Sequence, residues 1–287
     1  MKQHKIYQLT SIGRPLDPGY ASNKAVLILM PTAGLIAGVI AALQGQFITG
    51  IVIQSLASLL VVIASWALAR ELSPDDNPAA FISLVLAFLA FLSNAASGLP
   101  LLIVALFLVR IVNRSTGLRA RFSDSVIVLL VCLWAMISLG MPGLGVIAAL
   151  TFLLDALLSD PLRRHIVFAV MCLAAVLVYL SQYAVGIDYY WAGFSVWYWL
   201  PSVISGLFLI IILVTRKIES VADIGGTPLA VTRVRSGMGI GLLLTVMSIM
   251  TGPEVMGSAG LLLATLAGIV LGSVLRGLRP ALNSMLR

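Results

Sequence analysis

Charge-bearing chemistry is scarce in these 287 residues: 18 lysines and arginines, 11 acids and two histidines. One acid stands out by its surroundings. Asp155 lies in Leu153-Leu154-Asp155-Ala156-Leu157-Leu158, about one turn inside the end of an apolar run. An ionisable side chain within a membrane span is costly to bury and by default marks function, such as a proton or cation site. Asp155 is therefore the candidate intramembrane coupling or ion site. The plainer alternative is an ion pair with Arg163, Arg164 or an arginine of another loop.

A second group lies where apolar runs give way to charge. Asp75 and Asp76 sit in Ala-Arg-Glu-Leu-Ser-Pro-Asp-Asp-Asn-Pro, and Arg110, Asn113 and Arg114 close a later run. Adjacent carboxylates can hold Mg²⁺ against a phosphate, because that ion takes one or two carboxylates plus substrate oxygens. Arginines supply contacts to phosphates and lipid headgroups. These five residues form a candidate headgroup or phosphate site on the cytoplasmic rim. The plainer alternative is a solvated loop in which Ser73, Asp75 or Asp76 caps a helix and Pro78 opens it. Asp124, close to Arg121, reads as an acid at a helix start, where it offsets the helix dipole. Asp188 and Glu254 are candidates for the outer face. Asp188 begins an aromatic stretch ending at Trp199, of the kind that settles at headgroup level.

Known reaction signatures are missing. The chain has no GxxxxGK[ST] phosphate loop, no HExxH zinc pair and no CxxC. His4 and His165 are the only histidines, which disfavours a haem or zinc site with two histidine ligands. Cys132 and Cys172 lie deep in apolar runs and read as small hydrophobes. No metal site and no cofactor are indicated, Mg²⁺ entering only if the rim residues serve an enzyme. Scattered single and paired basic residues argue against nucleic acid as a partner.

The elements that carry these residues follow from composition. Hydrophobic residues make up 60% of the chain and charged ones 10%, with a mean hydropathy of +1.09. A soluble domain carries about a quarter of its residues charged, so the partner of this surface is the lipid bilayer. A crossing needs about 20 helical residues. Apolar stretches occur at 25–43, 47–69, 79–96, 100–113, 125–139, 143–158, 166–185, 200–215, 237–251 and 255–275. They form five hairpins whose connections at 44–46, 97–99, 140–142, 186–199 and 252–254 hold no lysine or arginine.

With alternating crossings, all 18 basic residues and nine of the 11 acids fall on one side, and only Asp188 and Glu254 on the other. The positive-inside rule makes the charged side cytoplasmic, with both termini inside. The expected protein is an all-α polytopic integral membrane protein of about ten transmembrane helices, N-in and C-in, in a bacterial-type cytoplasmic (inner) membrane. Its parts are a cytoplasmic arm at 1–24, one transmembrane helical domain at 25–275 and a short cytoplasmic tail at 276–287. The polar arm and the lack of a small-residue cleavage site speak against a cleaved signal peptide.

Hairpins 79–113 and 125–158 are short for two crossings. Short helices with snorkelling Arg110 and Arg114, or re-entrant segments, are the two ways to accommodate them. Pro31, Pro100 and Pro201 are potential helix interruptions. Gly-Arg-Pro-Leu at Gly13, Thr-Gly-Leu-Arg at Thr116 and Gly-Thr-Pro-Leu at Gly226 each precede a hairpin, suggesting a weak four-helix direct repeat with uneven gaps. Gly260, Ala264, Gly268 and Gly272 form a small-residue stripe, as do Gly237 with Gly241 and Gly34 with Gly38. Such stripes let helices approach closely in lipid, within the chain, in a homo-oligomer or against subunits of a membrane complex.

Three function classes follow. The leading one is a secondary transporter or permease for a small or amphipathic solute, with Asp155 as coupling site. Next comes a non-catalytic structural or accessory subunit of a membrane complex. The third is a lipid- or prenyl-phosphate-modifying enzyme working at the cytoplasmic rim; a non-enzymatic role is favoured over it.

Overall fold

The computed structural model describes residues 6–93, 95–183, 196–251 and 253–285. The described chain is helical: α1 (Ile6–Leu9), α2 (Ala21–Leu43), α3 (Ile48–Leu72), α4 (Asn77–Leu92), α5 (Leu99–Asn113), α6 (Phe122–Leu139), α7 (Pro142–Leu157), α8 (His165–Gln182), α9 (Val196–Val214), α10 (Val231–Met250) and α11 (Pro253–Met285). A 3₁₀ turn, Ala95–Gly98, leads into α5, and one isolated antiparallel bridge joins Val221 to Pro228. Helices suit lipid because each satisfies its own backbone hydrogen bonds.

Local signals set the helix ends. Pro78, Pro100 and Pro142 occupy first turns, where a missing N–H costs nothing. Asp76 caps α4 by accepting from the Ala79 N–H at 3.2 Å. Gly140, at φ 64°, closes α6 in the left-handed conformation that glycine adopts without penalty. Pro31 and Pro201 lie inside α2 and α9, which continue through them.

Among the described residues, six stretches are long and apolar enough to cross a membrane: Ala21–Leu43, Ile48–Leu72, Phe122–Leu139, His165–Gln182, Val231–Met250 and Gly257–Gly277. Asn77–Leu92, Leu99–Asn113, Pro142–Leu157 and Trp199–Val214 are shorter apolar helices. The shortfall expected in hairpin 125–158 therefore lies in α7, since α6 has 18 residues.

Length and position go together. The 15 residues of α5 rise only about 22 Å, against a bilayer core of about 30 Å. Yet α5 is packed against α3, α6, α7, α10 and α11, and ten of its residues are buried. A helix surrounded by protein need not match the lipid thickness. At the rim, α2 exposes Leu27, Ile28, Leu35, Ile36 and Val39, and α8 exposes Val167, Val170, Leu177 and Val178. Apolar faces of this extent are what lipid-facing helices present and soluble monomers avoid. The chain is a multi-pass membrane protein.

Not every successive pair packs as a hairpin. α2 lies along α3 and α7 along α8, whereas α4 and α5 each rest on α3 and α11. The small-residue stripes explain the closest of these contacts. A Cβ on Gly268 would collide with the backbone of Ser83, and one on Gly272 would sit 2.5 Å from Ala79 Cα, both on α4. Gly237 abuts Asn113 of α5, and Gly34 and Gly38 abut Leu59 and Ser55 of α3. Gly268 and Gly272 are thus engaged within the chain, on the face where a second copy was the alternative partner.

Candidate functional site

The polar segments between helices meet at one end of the bundle. There the arm before α2, the α3–α4, α5–α6, α7–α8 and α9–α10 connections and Arg276 of α11 are joined by side-chain hydrogen bonds. Two acids buried one turn or less inside helix ends organise this charged end.

The first is Asp155, fully buried in the last turn of α7. Arg114, the C-cap of α5, grips it with both ends of its fork: Nε to Oδ1 and Nη2 to Oδ2, each at 2.8 Å. Arg233 of α10 donates to Oδ1 at 2.8 Å. Nδ1 of His165 lies 2.9 Å from Oδ2, though out of line for a hydrogen bond. Arg114 also reaches Asp160 at 2.9 Å, and Arg233 donates to the Val112 and Ser159 carbonyls. Arg119 donates to Asp160 from the surface, so three guanidiniums face two carboxylates and the cluster carries one net positive formal charge.

Ser125 Oγ is 2.8 Å from His165 Nε2, so Ser125, His165 and Asp155 stand in the order that hydrolases use for nucleophile, base and orienting acid. The setting differs. All three are fully buried, Phe152 and Phe168 stand edge-on to the imidazole, and Arg114 and Arg233 already occupy the carboxylate. The arrangement joins α6, α7 and α8 and leaves Ser125 without solvent exposure.

The second acid is Glu71, in the last turn of α3 and 2% exposed. Its Oε1 accepts from Ser115 Oγ at 2.8 Å, Arg110 Nε at 3.2 Å and Arg14 Nη1 at 3.4 Å. Asn113 donates to its backbone carbonyl at 2.8 Å. Arg14 continues outward to Asp223 through a bidentate pair at 2.7 and 2.5 Å. Burial opposes the Arg14 charge, but Glu71 and Asp223 outweigh it and hold the guanidinium pKa above its ordinary value. Tyr7 donates to the same Asp223 at 3.2 Å; burial and that carboxylate push its phenol up to about 12. Ser11 donates to Asp124 through both its N–H and its hydroxyl. The arm is thereby sewn onto α3, the first turn of α6 and the α9–α10 connection.

A third group lies at the edge. Asp75 accepts from the N–H groups of Glu219 and Ser220 at 3.0 and 2.8 Å, and from Ser220 Oγ at 2.6 Å. Burial would raise its pKa, but the hydrogen bonds from Ser220 and Glu219 prevail and lower it. Asp76 accepts from Arg276 Nε at 2.9 Å. Beside these pairs, the ends of α3, α9 and α10 and residues 273–277 of α11 border a cleft of about 530 Å³. A smaller cleft of about 140 Å³ reaches Arg114 and Arg233 from the charged end.

The five rim residues singled out in the sequence are distributed over these three groups. Asp75 and Asp76 hold the α9–α10 connection and Arg276, Arg110 and Asn113 share Glu71, and Arg114 belongs to Asp155. The carboxylates of Asp75 and Asp76 are aimed at different partners, not at a common ion. Asp188 and the side chain of Glu254 lie outside the described residues. Glu71, Arg233, Ser125 and His165 were not anticipated as members of the clusters. A signal for Glu71 and Arg233 existed: Glu71, like Asp155, lies just inside a helix end on the same side as Arg110, Arg114 and Arg233, and buried charges must be paired. Comparison with protein families, characterised proteins and solved structures finds no match for the chain.

Proposed function

We propose that this protein is a secondary transporter or permease of a bacterial-type cytoplasmic membrane, taking a small amphipathic solute at its charged end. One observation carries the reading. The 530 Å³ cleft joins apolar walls, including Leu72, Ile211 and Met238, to Arg216, Lys217 and Arg276. An open cleft of this size that sets apolar walls beside a group of basic side chains suits a molecule with one apolar and one anionic part. The one-sided basic charge supports ten crossings with both termini and the charged end in the cytoplasm. In this reading the Asp155 and Glu71 clusters hold the cytoplasmic ends of the helices together.

The test is transbilayer movement of NBD-labelled lysophosphatidate in vesicles reconstituted with the purified protein, followed by dithionite quenching. A protein-dependent rate is expected, and a rate equal to that of protein-free vesicles would overturn the reading for phosphate amphiphiles. Coupling through Asp155 is checked in the same vesicles. If Asp155 carries a proton, Asp155→Asn abolishes the response to an imposed pH gradient; an unchanged response removes that role.

A second reading, the accessory subunit, draws on a different observation. Thr151, Thr245, Ser248 and Thr265, all buried in the spans, donate to carbonyls one turn back on their own helices, so they line no polar path. Stable co-purification with other membrane subunits, together with absence of flux, would favour it.

A further inference from the structure

We infer that the cleft between the ends of α3, α9 and α10 and the flank of α11 binds the phosphate of an anionic phospholipid, with Arg216 as its main contact and Lys217 and Arg276 beside it. Arg216 and Lys217 directly follow the apolar run of α9, which ends at Val214. The cleft therefore opens where the helix surface changes from apolar to charged, which is the level of lipid headgroups.

The charges around it are unequal. Three basic residues and one acid line the cleft. That acid, Asp75, already accepts three hydrogen bonds from Glu219 and Ser220. Arg276 is tied to Asp76, and Lys217 meets Glu219 at 3.1 Å in a pair that is largely solvent-exposed, which binds it weakly. Arg216 has no acidic partner among the described residues. Its planar fork matches two phosphate oxygens at once. The walls suit an acyl chain: Ile211 and Val214 come from α9, Val234 and Met238 from α10, and α9 exposes Ile210 and Leu213 to lipid beside them.

The inference rests on the transport reading in using the same cleft and the same placement of the charged end at a membrane surface, but binding is measured without flux, so either can fail alone. Protein purified in a neutral detergent is given phosphatidylglycerol or phosphatidylcholine, and bound lipid is counted by native mass spectrometry. Wild type is expected to retain phosphatidylglycerol several-fold over phosphatidylcholine. Each charge removed by Arg216→Ala or Lys217→Ala should lower that preference, by about fivefold for a basic residue at an anionic surface. Arg163→Glu alters an exposed residue of the same charged end outside the cleft and should leave the preference intact.

Inorganic phosphate and glycerol phosphate are added as competitors. Failure of both to displace the lipid at millimolar concentration identifies the whole amphiphile as the ligand. Displacement by either identifies a site for a free phosphate compound and overturns the lipid assignment. Equal retention of the two lipids, or an equal loss in Arg163→Glu, overturns the site itself. Arg216 and Lys217 are exposed, so their variants should keep the wild-type elution volume and melting temperature, which separates lost binding from lost fold.

Discussion

Asp155 shows how a buried carboxylate in an apolar helix is accommodated. Its charge is met by Arg114 and Arg233, and removing it leaves buried Arg233 without a carboxylate and Arg114 with only the exposed Asp160. Asp155→Asn should destabilise the protein by about 3–5 kcal/mol, read as a shift of the unfolding transition in detergent micelles. Unchanged unfolding would show that the arginines find other partners. Asp75 acts at the surface in the opposite pH sense from a raised group. Its folded pKa lies below the ordinary carboxylate value, so its clasp on Glu219 and Ser220 is fully present above pH about 4. The clasp is lost as pH falls through the depressed folded value. Limited proteolysis of the 215–230 connection should therefore accelerate at acid pH, and Asp75→Ala should be cut quickly at neutral pH as well.

At the scale of elements, close helix approach decides which segments share a contact. α11 reaches α4 because Gly268 and Gly272 present no side chain there, and Ser83 Oγ donates across the contact to the Thr265 carbonyl at 2.8 Å. Gly268→Ala places a methyl group against the Ser83 backbone, and overpacking of that kind costs about 1–3 kcal/mol. Gly206→Ala on α9 meets nothing within 4 Å and serves as control. Thermal unfolding of the two variants should separate them, and equal melting would mean that α11 shifts freely along α4. The stripes were readable in the sequence as spacing, but their partners were not. Four-residue spacing says which face of a helix is narrow and nothing about which helix comes against it.

At the scale of the molecule, the charged end is one connected layer, built from segments as far apart in sequence as Arg14 and Asp223. Its placement in the cytoplasm is open to a direct test. Single cysteines introduced at Gly45 and Ser159, on opposite ends of the helices, should respond oppositely to a membrane-impermeant maleimide in intact cells. Gly45→Cys should label from outside, and Ser159→Cys only after the membrane is opened. The native Cys132 and Cys172 are buried and should stay silent. Labelling of both sites from outside would break the proposed topology.

Sequence alone determined the helical membrane class, the positions of the apolar runs and the gathering of basic residues between alternate runs. These are properties of composition and order along the chain: lipid demands long apolar stretches, and orientation demands one-sided charge. It also pointed to Asp155 as an acid in an unusual place. Only the tertiary structure decided that Arg114, Arg233 and His165 surround that acid, that Glu71 is its counterpart on α3, and that α5 is short because it is enclosed by other helices. Those outcomes depend on which helices become neighbours. In this chain α4 and α5 follow one another yet pack on α3 and α11, so neighbourhood is set by small-residue faces and buried charge pairs rather than by sequence order.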